Sequence, residues 1–118
     1  MRAFKLYTGA DSASHVPEGT LALDRRADGV AAHFAESPPH SALVRHDGPK
    51  AQYVITLAGT LEFTTRDGET FIIRPGDVLI ATDTAGSGHK WRLIDDAPWR
   101  RCYVVLKPGA VDLFAAKR

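Results

Sequence analysis

Gln52-Tyr53-Val54-Ile55-Thr56-Leu57-Ala58-Gly59, then Leu61-Glu62-Phe63-Thr64, then Thr70-Phe71-Ile72-Ile73 after Arg66-Asp67-Gly68-Glu69, is the stretch that decides the fold. Tyr53, Ile55 and Leu57 alternate with Val54, Thr56 and Ala58, a period of two in residues that favour strands. Leu61 and Phe63 alternate in the same way with Glu62 and Thr64. Asp67-Gly68 is a two-residue hairpin signal, because both residues tolerate positive φ. Arg74-Pro75-Gly76-Asp77 makes a second turn, in which proline presets φ and glycine accepts the left-handed position. Val78–Ala81 reads as a short apolar strand.

The pattern continues toward the C-terminus. Thr82–Gly88 is polar and glycine-bearing, which predicts a loop. His89–Ile94 reads as a strand, Asp95-Asp96-Ala97-Pro98 as a turn, and Arg100–Leu106 as a strand. Pro108-Gly109 breaks the pattern, and Ala110–Ala116 is expected to form a short C-terminal helix. Toward the N-terminus, strands are expected over Ala3–Tyr7, Thr20–Leu23, Gly29–Phe34 and Ser41–Arg45, with a loop over Asp11–Gly19. Many short strands at near-regular spacing with almost no helix predict a sandwich or a barrel. No repeat, low-complexity tract or linker divides the 118 residues, so one domain over 1–118 is expected.

Composition narrows the function classes. The net charge is +1, which gives no electrostatic argument for nucleic acid or an anionic membrane. The pairs Arg25-Arg26 and Arg100-Arg101 form no stripe and read as solvated surface. One cysteine, Cys102, excludes an internal disulfide and fits a reducing compartment. Its apolar surroundings predict a buried structural thiol. The first residues lack the apolar stretch of a signal peptide, and no window suits a bilayer span. A cytoplasmic protein is the expectation. No helix-turn-helix pattern is present.

Strand alternation puts residues an even number apart on one face. His46 and Gln52 share a face if the chain stays extended through Gly48-Pro49, and His89, Trp91 and Leu93 share a face of a later strand. Two histidines from separate strands can meet inside a barrel, where imidazole suits a transition metal. Each residue also has a plainer reading. His46, His89 and Gln52 can be hydrogen-bonding pocket residues, and Trp91 can be core rather than pocket lining. His33 and His40 read as surface positions, and His15 as an exposed loop residue. Asp83 fits a turn cap better than a base.

From His46 to His89 the chain resembles the cupins. Their first motif runs His-x-His, Glu, then Gly; here it reads His46-Asp47-Gly48-Pro49-Lys50-Ala51-Gln52 and, seven residues on, Gly59. Their second motif carries a Pro-Gly-Asp turn and one histidine, here Pro75-Gly76-Asp77 and His89. Asp83-Thr84-Ala85-Gly86-Ser87-Gly88-His89 is similar to a signature of small bacterial cupins. The resemblance implies an all-β double-stranded β-helix, or jelly roll, and a homodimer. It also implies a metal held by three histidines and a glutamate. His46 and His89 stand at two of those positions, but Gly48 has no side chain and Gln52 is neutral. The expected site is therefore one weakly held divalent metal (Zn, Fe, Ni or Mn) on His46, Gln52 and His89, with Trp91 lining the pocket.

Two functions remain open from the sequence. One is a small-molecule-binding barrel that uses these residues as hydrogen-bond donors, and the missing ligands at Gly48 and Gln52 favour it. The other is a metal-dependent oxygenase, isomerase or lyase acting on a small polar metabolite, favoured by the two matching histidines. Architecture does not choose between them.

Overall fold

The computed structural model describes residues 1–11, 14–46, 51–65, 68–82 and 89–116, with backbone only at 14 and 43–46. Gly48, Asp67 and Asp83 thus lie outside the described residues. Twelve strands are present among those described: β1 (Arg2–Thr8), β2 (Ser14–His15), β3 (Glu18–Leu21), β4 (Gly29–Ser37), β5 (Ala42–His46), β6 (Gln52–Ala58), β7 (Leu61–Thr65), β8 (Thr70–Ile73), β9 (Val78–Ala81), β10 (His89–Leu93), β11 (Trp99–Leu106) and β12 (Phe114–Ala116). They form two sheets. The larger runs β12-β3-β1-β9-β6-β11-β4, with β2 paired to β1, and the smaller runs β5-β10-β7-β8. All pairings are antiparallel except β1 with β9. No helix among the described residues is long and apolar enough to cross a membrane.

Alternation along the strands builds two separate apolar clusters. Phe4, Leu6, Val54, Leu79 and Trp99 of the large sheet meet Leu61, Phe63, Phe71, Ile73 and Leu93 of the small one. Members from both sheets make this cluster the interior of the double layer. The intervening residues Tyr53, Val78 and Ile80, with Leu106, form a second cluster on the outer face of the large sheet. Leu21, Ala27, Ala110 and Phe114 pack over it. The chain ends therefore cover part of the outer face and leave the rest bare.

Two glycines are fixed by backbone geometry. Gly59, between β6 and β7, has φ +96°, and an added Cβ would come within 2.8 Å of the Pro98 carbonyl oxygen. Gly76 has φ +92° in the turn closed by the Asp77 N–H on the Arg74 carbonyl, 3.0 Å. That turn is as expected from Pro75-Gly76. The turn expected at Asp67-Gly68 lies partly outside the described residues. The Thr65 N–H bonds the Glu69 carbonyl, the Gly68 N–H bonds the Thr65 carbonyl, and Gly68 takes φ +89°.

Two expectations fail in the flanks. The helix expected over Ala110–Ala116 is absent. Leu113 takes φ +63°, and Phe114–Ala116 pairs antiparallel with β3. Seven residues are too few to repay helix nucleation, whereas β3 offers an unpaired ladder edge and an apolar cluster to receive Phe114. The loop expected over Asp11–Gly19 contains β2, and β3 begins at Glu18, because β1 supplies both with a pairing edge.

Candidate functional site

The topology collects the motif residues at one end of the interior. β6 runs from Gln52 to the Gly59 bend, and β7 returns from Leu61 to Thr65. Gln52 and Thr65 therefore stand at the same end, on facing sheets. In the small sheet, His89 is the register partner of Thr65 on one side and of His46 on the other. Gln52 is half-buried, two residues before the interior Val54. His89 is 4% exposed and Thr65 fully buried. The His89 ring lies 6.0 Å from that of Phe63. Thr8, the third member of the interior column Phe4, Leu6, Thr8, keeps a buried hydroxyl with no hydrogen-bond partner among the described residues. Its strand neighbour Leu6 pairs with Ala81, which pairs with Gln52.

Two imidazoles and a neutral amide suit a borderline divalent ion, but they supply no anionic ligand. Among the described residues, no group of three or more His, Cys, Asp or Glu side chains could hold a metal. His46 enters only through its backbone register. Gln52 is the third donor, and as an amide it falls outside such a group.

A second set of side chains on the interior face lies nearer the opposite end, beside β4 (the strand that ends the large sheet). Trp91 packs edge-on against Trp99, ring centroids 4.6 Å apart. The Arg101 guanidinium carbon sits 3.9 Å from the Trp99 ring centroid. Arg101 Nε donates to the Tyr103 hydroxyl at 2.7 Å, and Nη1 donates to Ser37 Oγ at 3.0 Å and to the Trp99 carbonyl at 3.2 Å. Tyr103 in turn stacks on His33 at 4.7 Å. Trp99 Nε1 donates to the buried Thr56 Oγ1 at 3.2 Å, which anchors the assembly to β6.

Sequence reading treats Arg100-Arg101 as one solvated pair. Alternation separates them. Arg100 points to the outer face, where Nε pairs with Glu36 Oε2 at 3.2 Å in an exposed ion pair. Arg101 is half-buried over Trp99, with no carboxylate partner among the described residues. The signal was present in the sequence, since Trp99, Arg101 and Tyr103 share a strand face and Trp99 is core. Cys102, expected to be buried, is half-buried, because β11 turns that residue to the incompletely covered outer face.

The other histidines stand apart. His40 is exposed, with φ +63°, and pairs with Asp96 at 3.0 Å. His15 belongs to β2 rather than to a loop. Its Nε2 lies 2.9 Å from Asp11, whose carboxylate raises the imidazole pKa above its ordinary value. Two hollows open along the large sheet. One, of about 480 Å³, is lined by Met1, Leu21, Leu23, Arg25, Tyr53 and Leu57 among others. The other, of about 290 Å³, is lined by Phe34, Ala35, Glu36, Leu57, Arg100 and Arg101. Neither includes His89, Gln52 or Trp91.

No protein-family model matches the chain, and no curated protein matches it either. Solved structures do. A conserved protein with a double-stranded β-helix domain from Klebsiella pneumoniae is 21% identical, with a TM-score of 0.54 over 85% of this chain and 78% of that one. A DUF861 family protein from Thermotoga maritima is 23% identical, with a TM-score of 0.53 over 63% of this chain and 77% of that one. The strand order, the two facing sheets and these likenesses together identify the fold as a double-stranded β-helix.

Proposed function

We propose that the protein binds a small molecule inside the barrel, beside one divalent transition metal held weakly by His46, Gln52 and His89. The observation that carries this reading is the β5–β10 register, in which His46 lies opposite His89. Cross-strand partners in an antiparallel pair share a face of the sheet. His89 is buried, and Gln52 stands at the same end on the facing sheet. The Thr8 hydroxyl, without a partner among the described residues, supports a polar occupant, because a buried hydroxyl without a partner costs free energy that a ligand can recover. The protein works in the cytoplasm as a homodimer, with neither nucleic acid nor membrane as a partner.

The neutral donor set makes metal affinity the test. Gly48→His with Gln52→Glu restores two ligands, one of them anionic. In a variant whose circular dichroism matches the native chain, affinity for Zn²⁺, Ni²⁺ or Mn²⁺ rises by about ten-fold or more, judged from what supporting groups alone contribute at metal sites. Calorimetric titration of both proteins measures it, and equal affinities contradict the shared site. A stoichiometric transition metal in untagged native protein would favour the metal-dependent enzyme over the binding protein.

A further inference from the structure

Arg101 is the feature that the metal motif does not use. A half-buried guanidinium loses part of its hydration and ordinarily recovers the cost from a carboxylate. Among the described residues its partners are neutral: a phenol, a serine hydroxyl, a backbone carbonyl and the face of an indole. These contacts orient the fork without cancelling its charge. Nε and Nη1 are engaged, while Nη2 makes no hydrogen bond among the described residues. Arg100, one residue away, shows the contrast: it is exposed and already paired with Glu36. The surroundings of Arg101 are planar as well as basic, with Trp91, Trp99, Tyr103 and His33 in ring contact.

We infer that Arg101 is the anion-recognising residue of the interior, and that the ligand is a small planar organic acid. Its carboxylate is taken by the two N–H groups of Arg101 Nη2, and its flat body by the exposed parts of Trp91, Tyr103 and His33. This inference rests on the reading that the interior takes a small molecule, and it names the class of that molecule. A charge-assisted bond from Nη2 is stronger than a neutral one, and an already oriented guanidinium loses little entropy on binding. Trp99 and Tyr103 hold Arg101 in place and serve as positioning residues.

Trp91 and Trp99 are the chain's two tryptophans, so indole emission reports on this place alone. Benzoate, its neutral isostere benzamide and inorganic phosphate are titrated into the native protein with excitation at the indole edge. Benzoate is expected to bind about ten-fold or more tightly than benzamide and than phosphate. In Arg101→Gln the advantage over benzamide falls to within about two-fold; Arg101→Lys, with charge but without the oriented Nη2 donors, retains part of it. Arg100→Gln binds as the native protein does. Equal binding of benzoate and benzamide to the native protein overturns the anion assignment and leaves interior binding standing. Phosphate binding as tightly as benzoate overturns the planar-acid assignment. No response to benzoate overturns the inference outright, and the metal titration then decides the interior reading separately. The native selectivity needs no variant, so a misfolded Arg101→Gln does not rescue the proposal.

Discussion

β9 and β4 belong to the same sheet and are buried in opposite ways. All four residues of β9 are buried, whereas most of the nine residues of β4 are exposed, Phe34 at 77%. β9 lies between β1 and β6, with the small sheet over one face and the chain ends over the other. β4 ends the sheet, pairs only with β11, and has neither cover. The large sheet therefore grades from a doubly covered centre to a bare edge. Apolar composition alone does not report burial, because Val30 and Phe34 look like core residues in the sequence and stand in solvent. The difference also locates chemistry. The interior is closed at β9 and half-open at β11, where Arg101 and Tyr103 keep partial exposure.

The comparison breaks most severely through Ile80. It is fully buried in the outer-face cluster, so Ile80→Ala should cost about 2–5 kcal/mol. Val30→Ala in β4 should cost less than about 0.5 kcal/mol. Urea unfolding of the two variants measures both, and equal costs would mean that the chain ends do not cover the outer face as described. A smaller effect is expected at Tyr53, whose hydroxyl donates to the Asp112 carbonyl at 2.6 Å and ties the C-terminal segment down. Tyr53→Phe should cost about 1 kcal/mol, with the loss confined by hydrogen exchange to the 106–116 segment and β3. Uniform loss across the protein would argue against a separately anchored cover. The smallest effect belongs to Phe34→Ser, within about 0.5 kcal/mol in dilute protein. A cost that grows with protein concentration would instead place a second copy on β4, in line with the proposed homodimer.

How much could be read from the sequence follows the same gradient. The strands from Gln52 to Ala81 were legible because their turns are written in glycine and proline and their alternation is strict. The register of His46 with His89 was not, since it depends on how far β10 slides along β5, which no local pattern encodes. The expected C-terminal helix failed because Phe114 takes its conformation from the cluster it joins. Arg101 was legible in principle from its even spacing to Trp99 and Tyr103. Reading Arg100-Arg101 as one charged pair concealed that they occupy opposite faces.

Zinc soaked into crystals of the native protein tests the central claim, a shared interior site for His46 and His89, most directly. One interior anomalous peak is expected within about 2.0–2.1 Å of an imidazole nitrogen from each histidine. Zinc at His15 or His40 with no interior peak at saturating concentration would contradict it.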